Sequence, residues 1–195
     1  MDPLSTVLSL LKPRSYMSGG LNLGGEWCIQ FGHYEGIKCY ALEFGECWVS
    51  VEGLNPVRLS AGDCFLLPSG RPFRLASDLR LPPVDVFSML PLPLNGAIVT
   101  LQGGGRCMGL GGHFGLSGDA AVLLGELPPI VHLSKESDRA AMRWSMERMM
   151  EELRNPQPGG ALVAEQLAYM MLVQALRLHL AEEANRSAGW LSALA

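Results

Sequence analysis

Residues 59–73 read LSAGDCFLLPSGRPF and contain the clearest fold signal in this chain. Gly62-Asp63 marks one turn, and Pro68 with Gly70 marks a second turn after a short apolar run. Glycine permits a tight turn between strands, and proline preorganises the exit of a strand whose hydrogen-bond ladder has ended. The stretch therefore predicts short β-strands joined by tight turns.

The same alternation of short apolar runs and turn residues extends to both sides of this stretch. About nine strands are predicted, at 27–31, 37–43, 47–51, 57–59, 64–67, 73–75, 84–88, 97–101 and 106–116. Because no long helix separates them, they imply an antiparallel structure, and closure as a barrel or double-sheet roll would remove its exposed edges. Phe44-Gly45 also predicts a two-residue hairpin turn between the second and third of these strands.

The composition changes near residue 134, after which Ala, Leu, Met, Glu and Arg dominate. Ser134 or Ser137 can cap a helix that runs to about residue 153, and the sequence NPQPGG at 155–160 ends it. A second helix is predicted at about 161–183, so that the two helices would form an antiparallel hairpin.

Two regions are therefore expected. Residues 1–133 would form a closed β-barrel preceded by a helical arm at 1–11, with a helical turn at 119–125 and an extended segment at 128–133. Residues 134–195 would form the helical hairpin, a dimerisation region and the start of a linker. The predicted fold class is mainly β with C-terminal α.

Apolar residues point in nearly every direction around the second predicted helix. A helix that is apolar all round is buried on more than one side. One side can pack on the barrel, and the other predicts contact with a second copy of the chain; the alternative is an ordinary central helix of a monomer. The expected dimer interface comprises Met146, Met149, Met150, Leu172, Val173, Leu176 and Leu180.

The bulk composition excludes several classes of protein. The 195 residues are 48% hydrophobic and 17% charged, with a formal charge of −4, so nucleic-acid binding by these residues alone is not expected. No apolar run reaches the roughly 18 residues of a membrane span, and residues 1–11 lack the features of a signal peptide. We expect a cytoplasmic protein whose five cysteines, none in C-x-x-C spacing, are reduced.

Residues 45–51 and 59–73 together resemble the two sequence motifs of cupins. The second cupin motif combines a Gly-Asp pair with a later proline and glycine, and Gly62-Asp63, Pro68 and Gly70 match it residue by residue. This resemblance implies a cupin-like double-stranded β-roll.

The resemblance does not extend to the residues that bind metal. Metal-dependent cupins place two histidines and a glutamate in the first motif and another histidine after the second turn. This chain has Cys39, Tyr40 and Glu43 at the first place and Phe73 at the second. Because a first-row divalent metal needs three or four converging donors, we expect no metal, no cofactor and no catalytic residue.

A soft metal bound by His33, Cys39, Cys47 and Cys64 is an alternative that the spacing argues against. If Phe44-Gly45 forms a hairpin turn, Cys47 pairs near Leu42, and Cys39 and Cys47 then project to opposite faces. The two thiols could not share one small site.

Further segments narrow the resemblance to one group of cupins. Residues 66–75 (LLPSGRPFRL), 112–114 (GHF), 127–129 (LPP) and 172–177 (LVQALR) occur in the order found in the N-terminal cupin domain of AraC-type transcription regulators. In that family the barrel binds a small effector or otherwise responds to a signal, the helical hairpin forms a homodimer, and a C-terminal domain with two helix-turn-helix units binds DNA. The resemblance implies a sensing and pairing domain that contacts DNA only through a domain outside these residues.

The expected effector pocket lies inside the barrel and is lined by Trp27, Tyr40, Leu42, Trp48 and Phe73. Aromatic walls with a few polar tips suit a small, largely apolar molecule, although the same side chains could simply fill the core. Effector binding would act by a population shift among arrangements of barrel, arm and helices. The alternatives are a metal-dependent cupin enzyme of the dioxygenase or isomerase type, and a dimerisation module without a ligand.

Overall fold

The computed structural model describes residues 13–90, 94–116, 127–133 and 135–184, in which strands dominate the first part and helices the second. The strands are β1 (Pro13–Leu23), β2 (Cys28–Phe31), β3 (Ile37–Phe44), β4 (Glu46–Val51), β5 (Val57–Ser60), β6 (Cys64–Leu67), β7 (Phe73–Ala76), β8 (Val84–Asp85), β9 (Ile98–Leu101), β10 (Cys107–Leu116) and β11 (Val131–Leu133). The helices are α1 (Val86–Met89), α2 (Glu136–Arg154) and α3 (Gly160–Ala184). The prediction of a mainly β chain with C-terminal helices is confirmed.

The strands form two facing sheets. The six-stranded sheet has the order β11-β6-β3-β10-β1-β9, and the five-stranded sheet has the order β5-β4-β7-β2-β8. Most neighbours are antiparallel, and the two exceptions, β1 with β9 and β2 with β8, lie at one edge of each sheet.

Alternation along β3 shows how the layers are built. Successive side chains of a strand point to opposite faces. Ile37, Cys39 and Ala41 belong to the core between the six-stranded sheet and the helices. Tyr40 and Leu42 pack instead in the core between the two sheets. The six-stranded sheet is thus the middle layer, with the five-stranded sheet on one side and the helices on the other.

The two long helices cover the six-stranded sheet with methionine-rich faces. Residues 155–159 separate α2 from α3, and the two helices pack against each other as well as on the strands. The core that they share with the sheet includes Met142, Met146, Met149, Met150, Leu167, Ala168, Met171 and Leu172. None of the helices in the described part of the chain is both long and apolar enough to cross a membrane.

The capping residue predicted for the first long helix is wrong. The cap position is Lys135, whose side chain makes no capping hydrogen bond, and Ser137 lies inside the helix. The acidic side chains of Glu136 and Asp138 in the first turn favour this end through the helix dipole instead. The helical arm at 1–11, the turn at 119–125 and Ser134 lie outside the described residues.

The predicted hairpin at Phe44-Gly45 is also wrong. β3 pairs with β6 and β10, whereas β4 pairs with β5 and β7, so the chain crosses from one sheet to the other between them. Gly45 makes this crossing possible because its φ is +83°, and a Cβ there would lie 2.0 Å from the carbonyl oxygen of Arg106. No other residue fits that approach.

Three strand predictions also need correction. The predicted strand at 84–88 ends at Asp85, whose carboxylate accepts a hydrogen bond from the backbone N–H of Phe87 and caps α1. β1 was not predicted, because its central Gly19-Gly20 lacks the apolar alternation of a strand. The segment at 128–133, expected only as extended chain, contains β11.

The residues expected at a dimer interface are mostly buried within one copy of the chain. Met146, Met149, Met150 and Leu172 are each at most 2% exposed. Their side chains fill the space between the helices and the six-stranded sheet, so they have almost no surface to offer a second copy. Val173 is half-buried, and the side chains of Leu176 and Leu180 lie outside the described part.

Candidate functional site

A cavity of about 420 Å³ lies between the two sheets, on the side closed by α1. This volume is within the range of small-molecule pockets. Its floor is the six-stranded sheet, where β1, β10 and β3 run side by side. Directly opposed residues of neighbouring strands share a face.

The floor is built from successive rows of three residues. One row is Met17, His113 and Lys38; the next is Gly19, Gly111 and Tyr40; the third is Leu21, Gly109 and Leu42. All nine residues line the cavity. The order of residue types therefore runs from polar at one end of the cavity to apolar at the other.

Two glycines on β10 create much of the open space. A Cβ at Gly109 would meet only ordinary contacts, the nearest being 3.4 Å from the carbonyl oxygen of Ala41, whereas a Cβ at Gly111 would lie 3.0 Å from the ring of Tyr40. Larger residues at these alternate positions would project into the cavity and fill it. Gly112, between Gly111 and His113, faces the other way, towards Cys39.

An aromatic cluster forms one wall of the cavity. The ring of Phe73 stacks on Phe31 at 4.4 Å between centroids and meets the rings of Tyr34 and Tyr40 edge-on. Tyr40 in turn stacks on Phe65 at 5.2 Å. Such ring pairs stabilise a wall beyond the area they bury. The wall is therefore a preformed apolar surface.

The structure brings three of the five predicted pocket residues to the cavity. Trp27, Tyr40 and Leu42 line it. Phe73 does not reach it and instead supports the aromatic rings that do. Trp48 is half-buried and lies on the outer face of β4, because Cys47 and Val49 on either side of it point inward. The glycine-spaced residues of β10 were missed, although alternate glycines in a predicted strand signal a close approach or open space.

Lys38 is the charged side chain at the polar end. Its ammonium lies 5.1 Å from the ring centroid of Tyr34 and 5.7 Å from that of Phe31. Burial lowers the pKa of Lys38 from 10.5 to about 8, so the protonated form still predominates at pH 7. Burial also lowers the pKa of His113, whose Nε2–H donates to the carbonyl oxygen of Glu35 at 2.6 Å.

Two buried thiols from different sheets meet at the apolar end. Cys47 of β4 and Cys107 of β10 line the cavity and hydrogen-bond to each other, and the cysteines are free of disulfides. This hydrogen bond is the main cause that raises the pKa of Cys47 and lowers the pKa of Cys107. Cys39, in contrast, belongs to the core on the helix side. It therefore shares no site with Cys47, as predicted, although the hairpin from which this was argued is wrong.

The profile of one family, described as cupin, matches residues 2–181 of this chain. The match covers most of the chain and both of its structural parts. The chain belongs to the cupin family. Its two facing sheets and the Gly62-Asp63 and Pro68 turns are accordingly those of a cupin domain.

Two curated relatives of this cupin domain share its full length. The proteins are named putative AraC-like transcription regulators, one from Streptomyces lividans and one from Streptomyces antibioticus; each is 38% identical over the whole chain. The chain spans 65% of the length of each relative. Among solved structures, apo ToxT K231A from Vibrio cholerae is similar over 85% of this chain and 56% of its own, with 11% identity and a TM-score of 0.47.

The residues of this cupin domain do not fit a metal centre inside the roll. Lys38, Tyr40 and Leu42 of β3 and the neighbouring Phe65 and Phe73 supply a cation, a phenol and apolar groups, whereas a divalent ion needs several converging N, O or S donors. Within the described residues, no three His, Cys, Asp or Glu side chains gather.

Proposed function

We propose that this chain is the effector-sensing domain of an AraC-type transcription regulator. The relatives' shared name supports the class, and the cavity between the sheets is the single observation that supports sensing. Its wall is preformed, its floor is opened by glycines, and one cation lies at one end. Such a site favours binding of a small, largely apolar effector over catalysis.

The same residues support a role other than that of an enzyme. Metal-dependent cupin catalysis would need donors where this roll has phenylalanines and a leucine. The relatives' naming as regulators supports the same view. DNA contact would then come through a separate domain of the whole regulator, as it does in AraC-type proteins.

β3 offers a direct route from the cavity to the helices. Leu42 lines the cavity, and the next residue, Glu43, forms an ion pair of 3.1 Å with Arg143 on α2. On the same strand, Cys39 contacts the sulfur of Met146 at 3.6 Å. An effector that shifts β3 would therefore alter the packing of α2, and signalling would use two alternative arrangements of this helix.

This route predicts that effector binding stabilises α2. With a compound that raises the melting temperature in a thermal-shift screen, we expect amide exchange in α2 to slow by roughly tenfold, because a ligand stabilises the elements coupled to its site. Arg143→Ala should reduce this protection while leaving binding intact. Arg148→Ala is the matched control, since Arg148 pairs with Glu152 of its own helix. Protection confined to the strands would contradict the route.

We further propose that the helical region, expected at 134–195, forms the homodimer through exposed residues rather than the buried methionines. Leu162, Val163 and Met170 are exposed and lie close to one face of α3 by helical spacing. Together with Leu176 and Leu180, which remain part of this proposal, they would meet a second copy.

A charge on this face should separate the two copies. We expect Leu162→Glu to convert a dimer to a monomer in sedimentation equilibrium, because a carboxylate buried at an apolar contact loses its solvation. Leu54→Glu is the matched control, since Leu54 is exposed in the turn between β4 and β5. An unchanged mass for Leu162→Glu would exclude this face as the interface.

A further inference from the structure

We propose that the effector is an amphipathic organic anion, with one monoanionic headgroup bound by Lys38 and an apolar body lying along the glycine-lined floor of the cavity. The inference rests on the proposed sensing function and names the chemical class of the effector. It is based on the position of Lys38 and on the contrast between the cationic end and the apolar end of the cavity.

Lys38 is a cation without an anionic partner in the described part of the chain. The ion pairs there involve other basic side chains, and the contacts of its ammonium are the faces of two aromatic rings. Ring faces compensate only part of the cost of removing a charge from water. An anion in the cavity would supply the missing partner.

The neighbouring polar groups are less available than Lys38 to bind an anionic headgroup. The hydroxyl of Tyr34 donates to the carbonyl oxygen of Leu67 at 2.8 Å, and the Nε2–H of His113 donates to the carbonyl oxygen of Glu35. Both groups thus already donate a hydrogen bond to the backbone. The ammonium of Lys38 has three donors and is the cationic group on the floor.

The opposite end of the cavity has no charged side chain on its floor. Cys107 lies six residues before His113 on β10, which places it roughly 20 Å away along the strand. The side chains around that end are Leu23, Trp27, Leu42, Cys47 and Leu59. One cationic end and one apolar end match a ligand with a single anionic group and an extended or bulky apolar body.

A simpler role for Lys38 is to cover apolar surface with its stem while its ammonium reaches water at the cavity rim. That role makes no distinction between an acid and an alcohol of equal size. Binding of decanoate, decanol and decylamine to the whole chain at pH 7, measured by isothermal titration calorimetry, separates the two roles.

We expect decanoate to bind at least roughly tenfold more tightly than decanol, and decylamine to bind most weakly, as charge-assisted hydrogen bonding to an ammonium requires. Lys38→Met should remove the preference for decanoate and leave decanol within about twofold, while Lys38→Arg should retain it. The comparison among the three probes on the unmodified chain stands even if Lys38→Met fails to fold.

The outcomes that overturn the inference are distinct from those that overturn the sensing function. If decanol binds as tightly as decanoate, or if Lys38→Met weakens both equally, the headgroup role of Lys38 is wrong and the cavity remains an effector site. If none of the three probes binds, both the headgroup role and the apolar effector site are wrong.

Discussion

Phe73→Ala is expected to lower the free energy of unfolding by about 3 to 5 kcal/mol, the usual cost of deleting a fully buried phenylalanine ring. Phe73 is 1% exposed and contacts the rings of Phe31, Tyr34 and Tyr40. Its loss removes both apolar burial and the support behind the cavity wall. Chemical denaturation with urea, followed by tryptophan fluorescence and circular dichroism, measures the effect.

Trp48→Ala provides the contrast, because sequence alone places both aromatics in the pocket. Since Trp48 lies on the outer face of β4, we expect a smaller loss of about 1 to 2 kcal/mol and a ligand affinity within about twofold of the unmodified chain. If Trp48→Ala abolished binding while Phe73→Ala preserved both stability and binding, the assignment of the two faces of the five-stranded sheet would be wrong.

Gly109→Leu is expected to weaken effector binding by roughly 100-fold or more, because the new side chain would occupy the cavity floor. The backbone of Gly109 does not require glycine: a Cβ there meets Leu42 at 3.7 Å, an ordinary contact. The chain should still fold, with a loss of about 1 to 3 kcal/mol if the leucine overpacks its neighbours. Calorimetry with a bound probe measures affinity, and circular dichroism verifies folding.

Gly109→Ala is the matched control for this substitution. Its single methyl group fits the same space, so affinity should change by only a few fold. A folded Gly109→Leu chain that binds as tightly as the unmodified one would show that the ligand lies elsewhere.

The local elements could be predicted from sequence because their signals are local. The strands at 37–44 and 64–67 carry dense apolar residues between glycine and proline turns, and the proline-rich break at 155–159 separates the two long helices. Even the N-terminal end of α2 was placed within two residues, although its cap residue was not. These features depend on residues close together in the chain.

Pairing between strands could not be predicted in the same way. A two-residue turn at Phe44-Gly45 is typical of a hairpin. However, β3 pairs with β6 and β10, in the sheet on which the helices pack. The choice depends on residues up to about seventy positions away, such as Gly112 opposite Cys39. β1 was missed for the same reason, since its glycines are explained only by the neighbours that they approach.

The candidate site was predicted in part. Trp27, Tyr40 and Leu42 line the cavity because aromatic and apolar side chains in alternating strands point to the interior, and their contact with an effector stays a prediction. Lys38 was missed because a charged residue next to the end of a strand reads as solvent-facing until the register places it beside His113. The methionines predicted at the interface are buried within one copy because the helices cover the sheet with them, and the interface itself stays a prediction.

The most direct test of the central claim, that the roll encloses a ligand cavity, is crystallography under xenon pressure. Apolar cavities bind xenon, whereas filled cores do not. We expect xenon density above Gly109 and Gly111, next to Tyr40 and Leu42, in the unmodified chain and none there in Gly109→Leu. A core in which side chains occupy this space and exclude xenon would contradict the claim.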